Sequence, residues 1–187
     1  YYLQQEETRL RLAAEVYVGS CPVRVGDVMS FPTWQMHSLQ HGVRVIEFQT
    51  PHYERMIVMF AQKVLTQGHW NTEEALAGMK PEIYQPPQPE LIWQQDGVRC
   101  ERVVNFPDFD AFRLHVPTGK RIHLEGKGNY QLLMGVEGYG QLFVGGESCG
   151  MIRHEEGWMV PAVTDDCWLE SRGTEDLLCL QAIPKSN

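Results

Sequence analysis

One histidine stands where this chain could present a metal ligand. His37 follows a short apolar run, residues 28–31, and a proline, Pro32. Because a proline cannot donate a hydrogen bond to a strand ladder, we expect Pro32 to end one strand and His37 to lead into the next. A stiff β scaffold can hold an imidazole toward the interior of a barrel, where it can bind a metal ion. The residues alone leave two interpretations open: a metal ligand, or a hydrogen-bonded histidine at a strand start.

Two further side chains are candidates for the same site. Gln35 lies two residues before His37, so on one strand both side chains would point to the same face. Glu47 lies in the next apolar segment, residues 43–48, beyond a hairpin turn predicted at His41-Gly42. A carboxylate can join a histidine on a divalent ion. Glu47 is equally well explained as a half-buried strand carboxylate paired with a nearby arginine.

The same segment resembles a motif of the type I phosphomannose isomerases, which are metal-dependent cupins. Their motif runs from a Gly-Asp pair through a proline and a histidine to a glycine turn and a Glu-x-Gln strand. Here the corresponding residues run from Gly26-Asp27 to residues 46–49, with Pro32, His37 and Gly42 between them. This match is specific to the segment, whereas a weaker resemblance extends over most of the chain.

The resemblance implies an aldose–ketose isomerase that acts on a hexose phosphate. His37 would be a metal ligand, with Gln35 and Glu47 as further candidates and zinc or another divalent ion as the cofactor. Arg55, in a segment similar to the family's Thr-Tyr-Arg, would stabilise the negative charge of the enediol intermediate. Arg55 is equally well explained as a solvated strand arginine. Trp34 replaces a glycine of the family motif.

The family's first metal motif has no counterpart in these residues. The resemblance places that motif before the polar, helix-forming stretch at residues 4–14. We therefore expect the chain to be the C-terminal portion of such an isomerase, or a diverged form that is inactive or very weak alone. Two alternatives stay open: a non-catalytic cupin of the same descent that binds a sugar or a partner, and another metal-dependent cupin.

The remaining sequence favours a mostly β protein with little helix. A helix is predicted near residues 71–79, with Asn71 as its N-cap and Glu74 three residues later. The proline-rich residues 85–90 indicate an extended linker. Beyond the linker, short apolar runs separated by glycines predict a barrel or sandwich. These runs are residues 99–105, 111–116, 131–136, 141–144, 157–160 and 177–183.

With the resemblance, this organisation predicts an all-β fold with minor helix, built as two double-stranded β-helix cupin barrels (a bicupin). The first unit, an incomplete cupin, would span residues 1–84, and the second, structural unit residues 91–187. Asp166 stands where a motif histidine of the second barrel would be, so we expect no metal there. A basic cluster could meet a phosphate or lie in a solvated loop. That cluster comprises Lys120, Arg121 and Lys127.

Composition and charge narrow the classes of partner. The formal net charge of −8 argues against a nucleic-acid backbone. No apolar run is long enough to span a membrane, so no membrane partner is expected. The five cysteines are odd in number and scattered, which argues against a disulfide framework and favours a reducing cytoplasm. The partner implied by the resemblance is a small-molecule sugar phosphate, and an oligomer stays open.

Overall fold

The computed structural model of this protein describes residues 1–50, 56, 58, 71–82, 84–126 and 128–185. Its backbone contacts divide the chain into two compact units. Unit 1 comprises Tyr1–Val45 and Pro51–Gln85, and unit 2 comprises Ile46–Thr50 and Pro86–Asn187. The division after Gln85 falls at the start of the predicted proline-rich linker.

Unit 1 contains two helices in its described part. Helix α1 spans Tyr2–Glu15, and helix α2 spans Thr72–Gly78, where a helix was expected near residues 71–79. No residue of α1 is buried, and two Glu–Arg pairs, three and four positions apart, lie along it. Such spacing places the paired side chains on one helix face. Among the described residues, no helix is both long and apolar enough to cross a lipid bilayer.

In the first half of the chain, the sequence predicts strands at residues 28–31 and 43–48, and both predictions are wrong. Neither segment is a strand in the structure. The turn predicted at His41-Gly42 is confirmed, and Gly42 has a φ value of +86°, which favours glycine. An apolar run becomes a strand only where another strand completes its ladder, and these runs find none among the described residues. A first cupin barrel, and with it the bicupin, is therefore not confirmed.

Unit 2 contains ten strands in its described part. They are β1 (Glu90–Gln95), β2 (Val98–Asn105), β3 (Phe109–Val116), β4 (Arg121–His123), β5 (Gln131–Glu137), β6 (Gly140–Val144), β7 (Glu147–Ile152), β8 (Gly157–Val160), β9 (Cys167–Ser171) and β10 (Leu177–Pro184). The six predicted strands correspond to β2, β3, β5, β6, β8 and β10. The sequence prediction missed β1, β4, β7 and β9, which are short, polar or interrupted by glycine.

Strand pairing in unit 2 is antiparallel and nested. Strand β6 pairs with β7, β5 with β8, β4 with β9, and β3 with β10. One long hairpin is thereby rolled into two sheets, with the orders β1-β2-β3-β10-β5-β8 and β4-β9-β6-β7. This nested pattern is the jelly roll of cupins, the double-stranded β-helix. The predicted all-β fold class with minor helix is therefore confirmed, although only one such barrel is described.

Apolar side chains fill the space between the two sheets. Along β10, for example, Leu177 and Cys179 are fully buried while Leu178 and Leu180 between them are only partly buried, as expected for a sheet with one inward face. Burying one large aliphatic side chain contributes about 1.5–3 kcal/mol. The core consists of Val98, Cys100, Leu114, Val116, Ile122, Leu124, Leu133, Leu142, Ile152, Val160, Cys167, Leu169, Leu177 and Cys179.

Candidate functional site

His37, the histidine predicted to bind metal, is exposed but held in place by two neighbours. Its Nδ1 atom lies 2.9 Å from the carbonyl oxygen of Gln35, and its ring stacks on Phe31 with centroids 4.2 Å apart. Because a carbonyl oxygen can only accept, Nδ1 carries the proton in this hydrogen bond and Nε2 keeps its lone pair. Metal-bound histidines are commonly oriented by such a bond to a backbone carbonyl. His37 can therefore offer Nε2 to a metal ion.

The ring of Phe31 is itself supported by Tyr84. The two ring centroids are 5.5 Å apart. The Tyr84 hydroxyl oxygen accepts a hydrogen bond from the Ser30 backbone N–H at 3.2 Å and lies 3.6 Å from the Met29 sulfur. Burial raises the pKa of the Tyr84 phenol, so this hydroxyl stays neutral. The stack of His37, Phe31 and Tyr84 is therefore built within unit 1.

Of the other predicted ligands, Gln35 belongs to the same unit as His37, and Glu47 belongs to the other unit. Gln35 offers His37 its backbone carbonyl, and its own N–H donates to Pro32 in a turn. The prediction that both side chains share one strand face is therefore wrong, because the segment is a turn. Glu47 is exposed and belongs to unit 2. The predicted catalytic Arg55 lies outside the described residues.

The described residues do not supply a complete set of ligands for a zinc ion. A zinc ion binds about four ligands. In structural and catalytic sites, most of these ligands are protein side chains. The described residues contain no group of three or more His, Cys, Asp or Glu side chains that could hold a metal ion. The imidazole of His37 is oriented by its bond to the Gln35 carbonyl, but no group of further ligands stands around it in the described part of the chain. Metal binding by His37, Gln35 and Glu47 therefore stays a prediction.

The interior of the unit 2 barrel is occupied by packed side chains. Leu124 and Cys167, each 1% exposed, are joined by a 2.8 Å backbone hydrogen bond. Two buried glutamines lie beside them: Gln131 donates to the Leu124 carbonyl at 3.2 Å, and Gln181 donates to the Gln131 side-chain oxygen. Burial raises the pKa of Cys167 to about 11 and that of Cys179 to about 12. Both thiols are neutral at neutral pH, which disfavours metal binding or nucleophilic attack by them.

Of the predicted basic cluster, Arg121 lies on the outer face of the four-stranded sheet beside an aromatic ring, whereas Lys127 lies outside the described residues. The Cζ atom of Arg121 on β4 is 4.4 Å from the ring centroid of Trp168 on β9. The ring of His123 is 4.9 Å from the same indole. The Trp168 Nε1–H donates to the Asp166 carboxylate at 2.7 Å. Asp166, which replaces the expected motif histidine, therefore serves to orient the indole.

A second ring extends this surface across the sheet. Phe143 on β6 lies opposite Trp168 in the register, and the guanidinium of Arg172 is 5.6 Å from its ring centroid. We call the outward side chains of Arg121, His123, Phe143, Trp168 and Arg172 the Trp168 face. The alternation in β9, with Cys167, Leu169 and Ser171 buried, is the sequence signal that could have placed Trp168 outward.

The charges on the Trp168 face are unevenly paired. Glu170 lies opposite Arg121 in the β4–β9 register, but its carboxylate contacts Arg172 instead, at 3.2 Å. Among the described residues, no carboxylate lies within ion-pair distance of Arg121. The nearest acidic contact of His123 is to Asp166, at 4.0 Å. Arg121 is therefore a positioned guanidinium whose N–H groups face no described counter-charge.

Comparison with known proteins finds similarity at the level of the fold. No protein-family model and no curated relative matches the chain. The mannose 6-phosphate isomerase of Bacillus subtilis matches with a TM-score of 0.51 and 11% identity, over 61% of this chain and 34% of the isomerase. A cupin with a double-stranded β-helix fold from Methanocaldococcus jannaschii matches with a TM-score of 0.43 and 13% identity, over 52% of this chain and 88% of that protein.

A third solved structure, KdgF from Halomonas sp., matches with a TM-score of 0.43 and 15% identity, over 52% of this chain and 89% of that protein. At these identities the likeness concerns the fold alone, and the chain spans about a third of the B. subtilis isomerase. Together with the nested strand pairing, the likeness to that isomerase shows that unit 2 has the double-stranded β-helix fold of cupins.

Proposed function

We propose that this protein is a sugar phosphate-binding cupin whose second unit is non-catalytic. The observation that carries the proposal is the packed interior of unit 2. A small-molecule or metal site in a barrel needs a cavity with a few convergent polar groups. In unit 2 that space is taken by aliphatic side chains and by two hydrogen-bonded glutamines: Gln181 donates to Gln131, and Gln131 donates to the Leu124 carbonyl. A barrel filled in this way supplies a scaffold, and its ligand must bind elsewhere.

The ligand class is supported by two similarities of different kinds. Residues 26–49 resemble the isomerase motif at the positions of Pro32, His37 and Gly42. Independently, the fold of unit 2 is similar to that of a protein named as a mannose 6-phosphate isomerase. A hexose phosphate is the class of ligand that both similarities favour. The net charge of −8 makes a larger polyanion such as a nucleic acid an unfavourable partner.

Binding measured together with turnover tests this proposal. The full chain is titrated with mannose 6-phosphate by calorimetry, and a coupled assay with added zinc follows the formation of fructose 6-phosphate. We expect saturable binding without measurable turnover. Robust turnover would contradict the non-catalytic assignment, and absence of binding would contradict the ligand class.

A second candidate function, metal-dependent aldose–ketose isomerisation, is favoured by the orientation of His37. With Nδ1 bonded to the Gln35 carbonyl, Nε2 is the atom that would bind a divalent ion. Glu47 and the Gln35 side chain would be further ligands, and Arg55 would stabilise developing negative charge on the sugar oxygens. When bound, the ion would act as a Lewis acid on those oxygens. The candidate ranks second because the described residues complete no set of ligands.

A further inference from the structure

We propose that the Trp168 face, on the outside of the four-stranded sheet, is the site that binds the phosphate-bearing end of a hexose phosphate. This inference rests on the proposed function for the class of ligand. It adds where the ligand binds and which groups recognise it. The outer face of the small sheet is separate from the barrel interior.

Arg121 carries the recognition of the phosphate. Its guanidinium is stacked on the Trp168 indole with the Cζ atom 4.4 Å from the ring centroid. This contact holds the guanidinium in place over the ring and leaves its N–H groups available to an anion. The guanidinium is a planar fork of donors, so it can bind a phosphate through two parallel hydrogen bonds. Because the indole fixes the arginine before binding, less side-chain freedom is lost when the phosphate arrives.

The two described carboxylates near Arg121, those of Glu170 and Asp166, both contact groups other than the Arg121 guanidinium. The Glu170 carboxylate is drawn to Arg172, at 3.2 Å. The Asp166 carboxylate accepts from the Trp168 Nε1–H at 2.7 Å, which fixes the indole that carries the arginine. Both carboxylates therefore have partners of their own. In a chain with a net charge of −8, a positioned arginine that no described carboxylate contacts is a favourable place for an anion.

The neighbouring groups fit the sugar that carries the phosphate. Phe143 is partly buried and lies next to Trp168, so the two rings offer an apolar surface for the C–H face of a hexose. Gln141 lies on the same outward side of β6 and donates to the Ser148 hydroxyl and to the Gly150 carbonyl, each at 2.7 Å. Its amide oxygen and the Ser148 hydroxyl remain as possible hydrogen-bonding partners for sugar hydroxyls.

Charge-removing and ring-preserving variants of the full chain test this site. Arg121→Gln removes the charge while keeping a side chain of similar length. Arg153→Gln changes an exposed arginine of the β7–β8 hairpin and is the matched control. Calorimetric titration with mannose 6-phosphate should show affinity weakened at least about tenfold in Arg121→Gln and unchanged in Arg153→Gln, because one charge-assisted contact is lost. Trp168→Phe, which keeps a ring but loses the contact with Asp166, should weaken binding by a smaller factor.

Two further ligands separate the contributions of the phosphate and the sugar. Unphosphorylated mannose and inorganic phosphate should each bind more weakly than mannose 6-phosphate. Equal affinity of Arg121→Gln and the wild-type protein, or equal affinity for mannose and mannose 6-phosphate, would overturn the site. Equal affinity for inorganic phosphate would overturn the role of the rings.

The outcomes also distinguish this inference from the proposed function. Binding that persists unchanged in Arg121→Gln refutes the site and leaves the function standing. Turnover accompanied by Arg121-dependent binding refutes the non-catalytic assignment and leaves the site standing. No binding of any hexose phosphate by the wild-type chain refutes both.

Discussion

Gln181 donates its side-chain amide to the side-chain oxygen of Gln131, inside the barrel and 50 positions away in the chain. Gln131 in turn donates to the backbone carbonyl of Leu124 at 3.2 Å. Both glutamines are at most 5% exposed. Burying an amide costs free energy unless the amide is hydrogen-bonded. The hydrogen bond between the two glutamines therefore offsets part of the cost of burying them in an apolar interior. Together, the two hydrogen bonds join β10 to β5 and β5 to the segment after β4.

Replacing both members of this pair should destabilise the protein by less than the sum of the two single replacements. Gln131→Leu leaves the Gln181 amide buried without its acceptor, and we expect the free energy of unfolding to fall by about 1–3 kcal/mol. The double variant with Gln181→Leu should lose less than the sum of the two single variants. Urea denaturation measures all three. Gln94→Leu, at an exposed position of β1, is the control and should change the free energy by less than about 0.5 kcal/mol. Additive losses would contradict the coupling.

Gly135, the glycine of β5, is a position where the fold leaves no room for a side chain. An added Cβ atom would overlap the carbonyl oxygen of Arg153, because the β7–β8 hairpin lies directly against Gly135. We expect Gly135→Ala to lower the free energy of unfolding by about 1–3 kcal/mol. Gly157→Ala is the matched control, since the nearest atom to its added Cβ lies 3.5 Å away. Thermal denaturation of both variants checks the difference, and equal midpoints would count against the close approach.

The buried thiol of Cys179 should make stability decrease at alkaline pH. Burial raises the pKa of Cys179 from about 9 to about 12, so above pH 9 the unfolded thiol loses its proton while the folded thiol keeps it. The folded state then binds more protons, and stability falls as pH rises from 9 toward 12, by up to about 1.4 kcal/mol per pH unit for this thiol.

The contribution of this thiol is measured as a difference between variants. Urea denaturation at several pH values should give Cys179→Ala a shallower alkaline decline than the wild-type protein. Cys149→Ala removes an exposed thiol and should keep the wild-type slope. Identical slopes in all three proteins would show that Cys179 ionises as readily in the folded state as in the unfolded state.

His37 should be the residue on which any metal content depends. After incubation with zinc and removal of excess metal, elemental analysis should find less zinc in His37→Ala than in the wild-type protein, because the oriented Nε2 atom is lost. His154→Ala, which removes an exposed histidine of unit 2, is the control and should leave the zinc content unchanged. Equal zinc in wild-type and His37→Ala proteins would refute the ligand role. Absence of zinc from both would favour the non-catalytic proposal.

Much of unit 2 can be predicted from the sequence because its signals are local. Short runs rich in apolar residues indicate β2, β3 and β10, and glycines mark the turns between strands. The helix beginning after Asn71 is likewise encoded by its first turn. The same kind of signal gives a wrong prediction at residues 28–31, because an apolar run forms a strand only if a distant segment pairs with it.

What the sequence by itself determined is therefore the all-β class of unit 2, its strands and turns, and His37 as an isolated candidate ligand. The tertiary structure alone decided which side chains meet. Nested pairing of β4 with β9 places Arg121 beside Trp168, and pairing of β10 with β3 and β5 closes Gln181 onto Gln131. The physical reason is that alternation along a strand is a property of neighbouring residues. Strand register, in contrast, is set by the lengths of distant connections and by the packing of the whole core.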